Sequence, residues 1–155
     1  MLNIKSKTIC FIPARKNSKR IKNKNLKKIA NMPLTEITIK QAKQSGIFKD
    51  IILSSDSNKI LNLGKKLKIT CFKRSKKNSG SNSRTDSALK EIVLKIKDDY
   101  DNIVILQVTS PLRRIATIKK FTSFCVKKKL NYCLTVSKIS NNIGKFKKNF
   151  FNSLK

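Results

Sequence analysis

The run Thr8-Ile9-Cys10-Phe11-Ile12, closed by Pro13, decides the fold of this chain. It is apolar without alternation, which is typical of a strand covered on both faces of a parallel sheet. Similar runs recur along the chain, at residues 51–53, 69–72, 103–106 and 132–136. We therefore expect five strands, the last of them over residues 132–136.

Helical patterns lie between these runs. Residues 34–46 fit a helix that Gly46 ends, and residues 60–67 place apolar side chains at i, i+3, i+4 and i+7. Two later helices have the apolar faces Leu89, Ile92, Val93, Ile96 and Ile118, Phe121, Thr122, Cys125. Alternating strands and helices predict an α/β fold with a mostly parallel sheet and helices on both faces.

The polar loops follow the strands. In an open α/β sheet the ligand binds beyond the carboxyl ends of the strands. This rule places residues 15–25, 54–56, 73–86 and 107–113 along one edge of the sheet. Asp56 is expected to cap the helix that contains Ile60, and Asp86 to cap the helix after the third strand.

Composition excludes several classes of function. There are 37 Lys and Arg against 8 Asp and Glu, and no histidine, so no Ser-His or Cys-His nucleophile can form. The lysines are spread over every segment, and aromatic residues do not alternate with them as they do where bases stack. This pattern favours non-specific attraction to polyanions over a dedicated nucleic-acid site. The cysteines form no C-x-x-C pair, and we expect all of them to be small buried residues: Cys10, Cys71, Cys125 and Cys133.

No membrane segment or signal peptide is predicted. No stretch of the sequence approaches the ~20 apolar residues that a bilayer requires. The apolar run at residues 8–13 is too short for a signal-peptide core. We therefore expect a cytoplasmic protein.

The loop after the first strand reads Pro13-Ala14-Arg15-Lys16-Asn17-Ser18-Lys19, and Lys24-Asn25-Leu26 follow. It matches neither G-x-G-x-x-G nor a P-loop. A tight turn at Asn17-Ser18, flanked by Arg15 and Lys24, can surround a triphosphate with charge-assisted hydrogen bonds. Charge alone leaves a solvated basic loop as an equal alternative.

The order of residues in this loop favours triphosphate binding over a solvated basic loop. Pro-Ala-Arg-x-Asn-Ser-Lys followed by Lys-Asn-Leu resembles the opening signature of the acylneuraminate cytidylyltransferases, or CMP-sialic acid synthetases. Residues 106–113, Leu-Gln-Val-Thr-Ser-Pro-Leu-Arg, resemble that family's L-Q-P-T-S-P-L-R, and residues 52–56 are similar to its V-S-T-D. The alternative interpretation of Thr109-Ser110-Pro111 is that these residues only begin the following helix.

The resemblance implies a Rossmann-like nucleotidyltransferase that transfers CMP from CTP to a nonulosonic (sialic-type) acid, with Mg²⁺ and with release of pyrophosphate. It implies catalytic roles for Arg15, Lys24 and Gln107. The implied nucleotide-binding residues are Ala14, Arg15, Ser18, Lys24, Asn25, Arg74 and Asp86. The implied sugar-binding residues are Gln107, Thr109 and Ser110. A homodimer is also implied.

Two departures from the family pattern concern the later part of the chain. Arg74 is followed by Ser75 where the family has proline, so Arg84 competes for the base-binding role. No acidic residue follows Asp101, so the family's metal-binding D-x-D pair is absent and the metal ligands are unknown. We expect residues 1–136 to form the nucleotide-binding domain, truncated at the C-terminus. Residues 137–155 are expected to be a basic tail, a remnant of the family's dimerisation and sugar-site region.

Two alternatives to a CMP-nonulosonate synthetase stay open. One is another sugar nucleotidyltransferase, such as a Kdo-type enzyme, although its loop after the first strand would read differently. The other is a non-catalytic or degenerate fragment of the same family that retains nucleotide affinity, which the missing carboxylates favour.

Overall fold

A computed structural model describes residues 7–16, 18, 21–75, 77–80, 85–96, 99–136, 143–147 and 150–154. Its strands are β1 (Thr8–Pro13), β2 (Lys28–Ile29), β3 (Met32–Pro33), β4 (Asp50–Ser55), β5 (Thr70–Lys73), β6 (Asn102–Ile105), β7 (Ile143–Lys147) and β8 (Phe150–Leu154). Its α-helices are α1 (Leu34–Ser45), α2 (Asn58–Lys66), α3 (Thr85–Val93) and α4 (Ile115–Lys127). A short 3₁₀ helix spans Lys24–Leu26.

Four strands form a parallel sheet in the order β5-β4-β1-β6. The chain runs outward from β1 through β4 to β5 and then crosses to β6 on the other side of β1. The strand order therefore reverses between β1 and β6, and such a switch point opens a crevice at the carboxyl ends of the two strands. The predicted α/β fold is confirmed, and so are the first four predicted strands.

The sheet is covered on both faces. Helices α1, α2 and α4 pack on one face, where the core includes Cys10, Ile12, Ile39, Leu53, Ile60 and Ile118. Helix α3 packs on the other face through Ala88 and Ile92, against Ile9, Phe11 and Ile52. Every residue of β1 from Thr8 to Ile12 is buried, because the central strand has a covered face on each side.

The helix boundaries follow local signals. Gly46 ends α1 with a left-handed φ of 65°, as its position in the sequence predicts. Gly64 lies inside α2, and a Cβ there would stand 2.6 Å from both Cys71 Sγ and Leu53 Cδ2. Glycine is therefore required at this position so that α2 can pack closely on the sheet.

The predicted strand over residues 132–136 is wrong. These residues are exposed and have no strand partner among the described residues. Tyr132, Leu134 and Val136 are 98%, 76% and 81% exposed. An apolar stretch becomes a strand only when another strand pairs with it, and none of the described strands pairs with this stretch. The expectation that Cys133 is buried is wrong for the same reason, while Cys10 is fully buried and Cys71 and Cys125 are partly buried.

The sequence analysis also missed two hairpins. Strands β2 and β3 pair through Ala30 and Asn31, which both have positive φ as the two central residues of a type I′ turn require. Strands β7 and β8 pair as an antiparallel hairpin within the predicted basic tail. Residues 137–142, at the predicted domain boundary, lie outside the described residues. None of the described helices is long and apolar enough to cross a membrane.

Candidate nucleotide-binding cleft

A cleft of about 200 Å³ opens at the carboxyl ends of the parallel strands, at the switch point between β1 and β6. Its walls come from the loop after β1, the 3₁₀ helix, the residue after β5, the start of α3 and the loop after β6. The lining residues are Pro13, Arg15, Ser18, Lys24, Asn25, Arg74, Thr85, Gln107, Val108 and Thr109.

The first residues of the loop after β1 are held by two hydrogen bonds from backbone N–H groups. The Ala14 N–H donates to Ser54 O at 2.9 Å, which continues the sheet pairing by one residue. The Lys16 N–H donates to Asp56 Oδ1 at 2.6 Å. The expectation that Asp56 caps α2 is therefore wrong: Ser57 occupies the N-cap position, and the Asp56 carboxylate ties down the basic loop instead.

The 3₁₀ helix closes the other side of the same loop. Asn25 is buried, and its Nδ2 donates to Arg15 O at 2.8 Å. Its own carbonyl accepts from Thr35 Oγ1 on α1 at 2.7 Å. Asn25 therefore fixes the backbone of Arg15 relative to α1, and Lys24, its neighbour in the 3₁₀ helix, lines the cleft.

Arg74 is a buried cation that lines the cleft. Its Nε donates to Ser54 Oγ at 3.3 Å and its Nη2 to Ser54 O at 3.4 Å. Burial lowers the pKa of the Arg74 guanidinium; the charge of Arg15 acts in the same direction, and the carboxylates of Asp56 and Glu91 oppose it. The two guanidinium groups thus repel each other across the cleft, and an anion bound between them would relieve that repulsion.

The loop after β5 reaches Arg15 from the other side. Arg15 Nη1 donates to Gly80 O at 3.4 Å. The loop is held by Glu91 of α3, whose carboxylate accepts from Asn78 Nδ2 at 2.7 Å and from the Ser75 N–H at 3.1 Å. The pKa of Glu91 is lowered, chiefly by the hydrogen bond from Asn78, so this support is present above the ordinary pKa of a glutamate and is lost as the pH falls through the lowered value.

The loop after β6 forms the opposite wall. Val108 is buried in the core, so the side chains on either side of it, Gln107 and Thr109, lie at the cleft. The Ser110 N–H donates to Gln107 O at 3.3 Å and closes a turn. Arg113 Nη2 donates to the same carbonyl at 2.7 Å.

The structure brings most of the predicted site residues together at this cleft. The cleft is lined by Arg15, Ser18, Lys24, Asn25, Arg74, Gln107 and Thr109, all of which the resemblance implies.

Three predicted residues lie outside the lining. Ala14 is fully buried and pairs with β4. Asp86 is exposed in the first turn of α3 and accepts the Ser87 N–H at 2.9 Å, whereas Thr85, about 100° away on the helix, faces the cleft. Ser110 lines a neighbouring cavity of about 230 Å³ beside β6, which it shares with Gln107.

The sequence analysis missed Pro13, Thr85 and Val108 as lining residues. The position of Thr85 could have been predicted from the sequence, because it begins the helix that follows the third predicted strand. In a parallel sheet the first residue of such a helix lies at the ligand-binding edge. Asn17, half of the predicted tight turn, and Arg84, the rival of Arg74, both lie outside the described residues.

The described residues of the cleft do not fit a magnesium site. None of the described residues that line the cleft is acidic, and the described part of the chain contains no group of three Asp, Glu, Cys or His side chains that could hold a metal. The nearby carboxylate of Asp56 is already engaged by the Lys16 N–H. Magnesium prefers carboxylate oxygens together with substrate phosphates, so the described residues of the cleft supply cations for the phosphates but no carboxylate for a metal.

Comparison with known proteins agrees with the geometry. Residues 9–152 match the cytidylyltransferase family. The chain is 32% identical over 142 residues to an N-acylneuraminate cytidylyltransferase of Streptococcus agalactiae, covering 90% of this chain and 34% of that protein. It is 36% identical over 110 residues to a pseudaminic acid cytidylyltransferase of Campylobacter jejuni, covering 68% of this chain and 47% of that protein.

The fold is similar to that of a CMP:2-keto-3-deoxy-manno-octonic acid synthetase solved in complex with CTP. The TM-score is 0.69 at 18% identity, over 81% of this chain and 49% of that one. In each of these three comparisons the chain spans about half or less of the other protein's length. The resemblance found in the sequence motifs is confirmed, and the chain belongs to the cytidylyltransferase family.

Proposed function

We propose that this chain forms the nucleotide-binding part of an enzyme that transfers CMP from CTP to a nonulosonic acid and releases pyrophosphate. The observation that carries the proposal is the convergence of Arg15, Lys24 and Arg74 on one cleft at the switch point of the sheet. None of the described residues that line this cleft is acidic. A triphosphate is the anion whose charge matches such a set of cations.

Each wall has a separate role in this proposal. Arg15 and Arg74 hold the phosphates between them, and Lys24 neutralises charge that develops on the departing pyrophosphate. Gln107 and Thr109 on the opposite wall orient the sugar acid so that its anomeric hydroxyl attacks the α-phosphorus of CTP, while pyrophosphate leaves in line. Positioning and charge stabilisation supply most of the rate enhancement in reactions of this kind.

The names of the relatives support the choice of base and acceptor. Of the two relatives described above, one is named as an N-acylneuraminate cytidylyltransferase and the other as a pseudaminic acid cytidylyltransferase. The magnesium ion that the resemblance implies stays a prediction, and no step above is routed through it.

A second candidate is a nucleotide-binding protein that does not complete the transfer. The absence of an acidic lining residue in the described part of the cleft favours it, since the family pattern includes a metal-binding carboxylate pair. This candidate predicts the same CTP affinity as the first but no pyrophosphate release.

The test measures CTP binding by titration calorimetry, and pyrophosphate release with Mg²⁺ and a panel of nonulosonic acids. Arg15→Ala is compared with Arg114→Ala, which removes an equal charge from an exposed position outside the cleft. We expect Arg15→Ala to weaken CTP binding by about tenfold or more, because a charge-assisted phosphate contact contributes about 1.5–3 kcal/mol. Arg114→Ala should leave the Kd within about twofold.

The outcomes separate the candidates. Pyrophosphate release with one sugar acid, lost in Arg15→Ala, supports the transferase. Specific CTP binding without release supports the second candidate. Equal weakening by both variants would show that CTP is held merely by the net positive charge, and the proposal would fail.

A further inference from the structure

We infer that Gln41 and Arg113 are positioning residues that clamp the acceptor loop, residues 107–113, to helix α1 and so set its distance from the phosphate-binding cations. The inference rests on the proposed function, because that function makes this loop the wall that meets the sugar acid.

The clamp is a closed set of hydrogen bonds. Gln41 Nε2 donates to Pro111 O at 2.7 Å and to Arg113 O at 2.8 Å. Gln41 Oε1 accepts from Arg113 Nη1 at 3.1 Å. Arg113 Nη2 then donates to Gln107 O at 2.7 Å. One side chain of α1 therefore holds two carbonyls of the loop directly and a third through the guanidinium of Arg113.

The loop needs this support because apolar packing fixes it at few points. Val108 is buried, but Thr109, Ser110 and Leu112 are exposed. Between Val108 and the start of α4, the backbone direction therefore depends on polar contacts. Those contacts end at the carbonyl of Gln107, the residue whose side chain faces the cleft.

Helix α1 also holds the opposite wall of the cleft. Near its N-terminus, Thr35 Oγ1 donates to Asn25 O at 2.7 Å, and Asn25 Nδ2 donates to Arg15 O at 2.8 Å. Gln41 lies six residues further along the same helix. A helix is rigid over this length, about 9 Å at 1.5 Å per residue, so α1 fixes the separation between the phosphate side and the acceptor side.

Arg113 acts on the loop through its hydrogen bonds. Its guanidinium is partly buried, and its hydrogen bonds end on the Gln107 carbonyl and on the Gln41 amide oxygen. Burial lowers the pKa of this guanidinium. Replacing a bidentate arginine with lysine keeps the charge but cannot hold both partners in the same geometry.

The test compares Gln41→Leu with Gln44→Leu in the full chain. Both variants replace a glutamine of α1 by leucine, but Gln44 is exposed and outside the clamp. Amide hydrogen exchange is followed by mass spectrometry in peptides that cover residues 106–114, α1 and α4. Titration gives the Kd of CTP, and steady-state kinetics give KM for the sugar acid and kcat.

We expect Gln41→Leu to speed exchange in residues 107–113 by about tenfold or more while α1 and α4 stay protected. Gln44→Leu should leave the exchange rates, the Kd of CTP and the KM for the sugar acid unchanged. KM for the sugar acid should rise by about tenfold, and the Kd of CTP should stay within about twofold. Arg113→Lys should give an intermediate effect on both exchange and KM.

The exchange measurement decides the inference whether or not the proposed function holds. If the wild-type chain binds CTP but shows no turnover, the proposed transfer step fails, but faster exchange confined to residues 107–113 still supports the clamp. Unchanged exchange in both Gln41→Leu and Arg113→Lys would overturn the inference. So would equal loosening of α1 and α4, or an equal loss of CTP and sugar-acid binding, because either result would indicate general support of the fold.

Discussion

Phe11 and Ile105 lie opposite each other in register on the adjacent strands β1 and β6, yet they have different surroundings. Phe11 is 0% exposed and Ile105 is 40% exposed. The next pair along the same face, Ile9 and Ile103, repeats the difference at 1% and 37%. All four residues come from continuous apolar runs that predict the same kind of buried strand.

The difference lies in the neighbours. β1 has β4 on one side and β6 on the other, and α3 covers Ile9 and Phe11 through Ala88 and Ile92. β6 has β1 on one side and no strand from the described residues on the other. An apolar run therefore predicts a strand, but how deeply that strand is buried depends on elements that are distant in sequence.

The largest expected effect on stability comes from replacing Phe11 and Ile105, one at a time, by alanine. Phe11→Ala should lower the free energy of unfolding by about 3–5 kcal/mol, because it leaves a cavity between the sheet and α3. Ile105→Ala should lower it by about 1 kcal/mol, since much of that side chain already contacts solvent. Denaturant titration of both variants measures the contrast. Equal losses would mean that the outer side of β6 is covered in solution.

A smaller effect is expected where α2 packs on the covered part of the sheet. In Gly64→Ala the new methyl group would meet Cys71 Sγ and Leu53 Cδ2 at 2.6 Å. The resulting strain costs about 1–3 kcal/mol, against about 1 kcal/mol that alanine gains over glycine in a helix. We expect a net loss of about 1 kcal/mol.

Gly80→Ala is the matched control for stability, because nothing lies within 4 Å of a Cβ at that position. Its free energy of unfolding should stay within about 0.5 kcal/mol of the wild-type value. A stabilised Gly64→Ala would show that α2 can move away from the sheet without loss.

The smallest effect is expected in the segment that the sequence predicted as a fifth strand. Leu134→Ser should change the free energy of unfolding by less than about 0.5 kcal/mol, because this leucine is 76% exposed. The same denaturant titration measures it. A loss of about 2 kcal/mol would contradict the structure and indicate that residues 132–136 pack as a strand.

The candidate site shows a similar division between local and distant information. Arg15, Lys24 and Gln107 were predicted because they belong to short motifs that follow strands, and the parallel sheet carries those loops to one edge. Gln41 and Glu91 could not be predicted in this way. Their partners, Arg113 and Asn78, are 72 and 13 residues away in sequence, and no motif marks either contact.

The sequence by itself determined the four strands of the parallel sheet, the four α-helices and the stop at Gly46, because hydrophobic period and backbone preference are local properties. It also determined which loops carry the cations of the cleft. The tertiary structure alone decided that no described strand pairs with the outer side of β6, that residues 132–136 are exposed and that Asp56 supports the basic loop. Burial and hydrogen bonding are set by which distant elements meet, and no local pattern of residues contains that information.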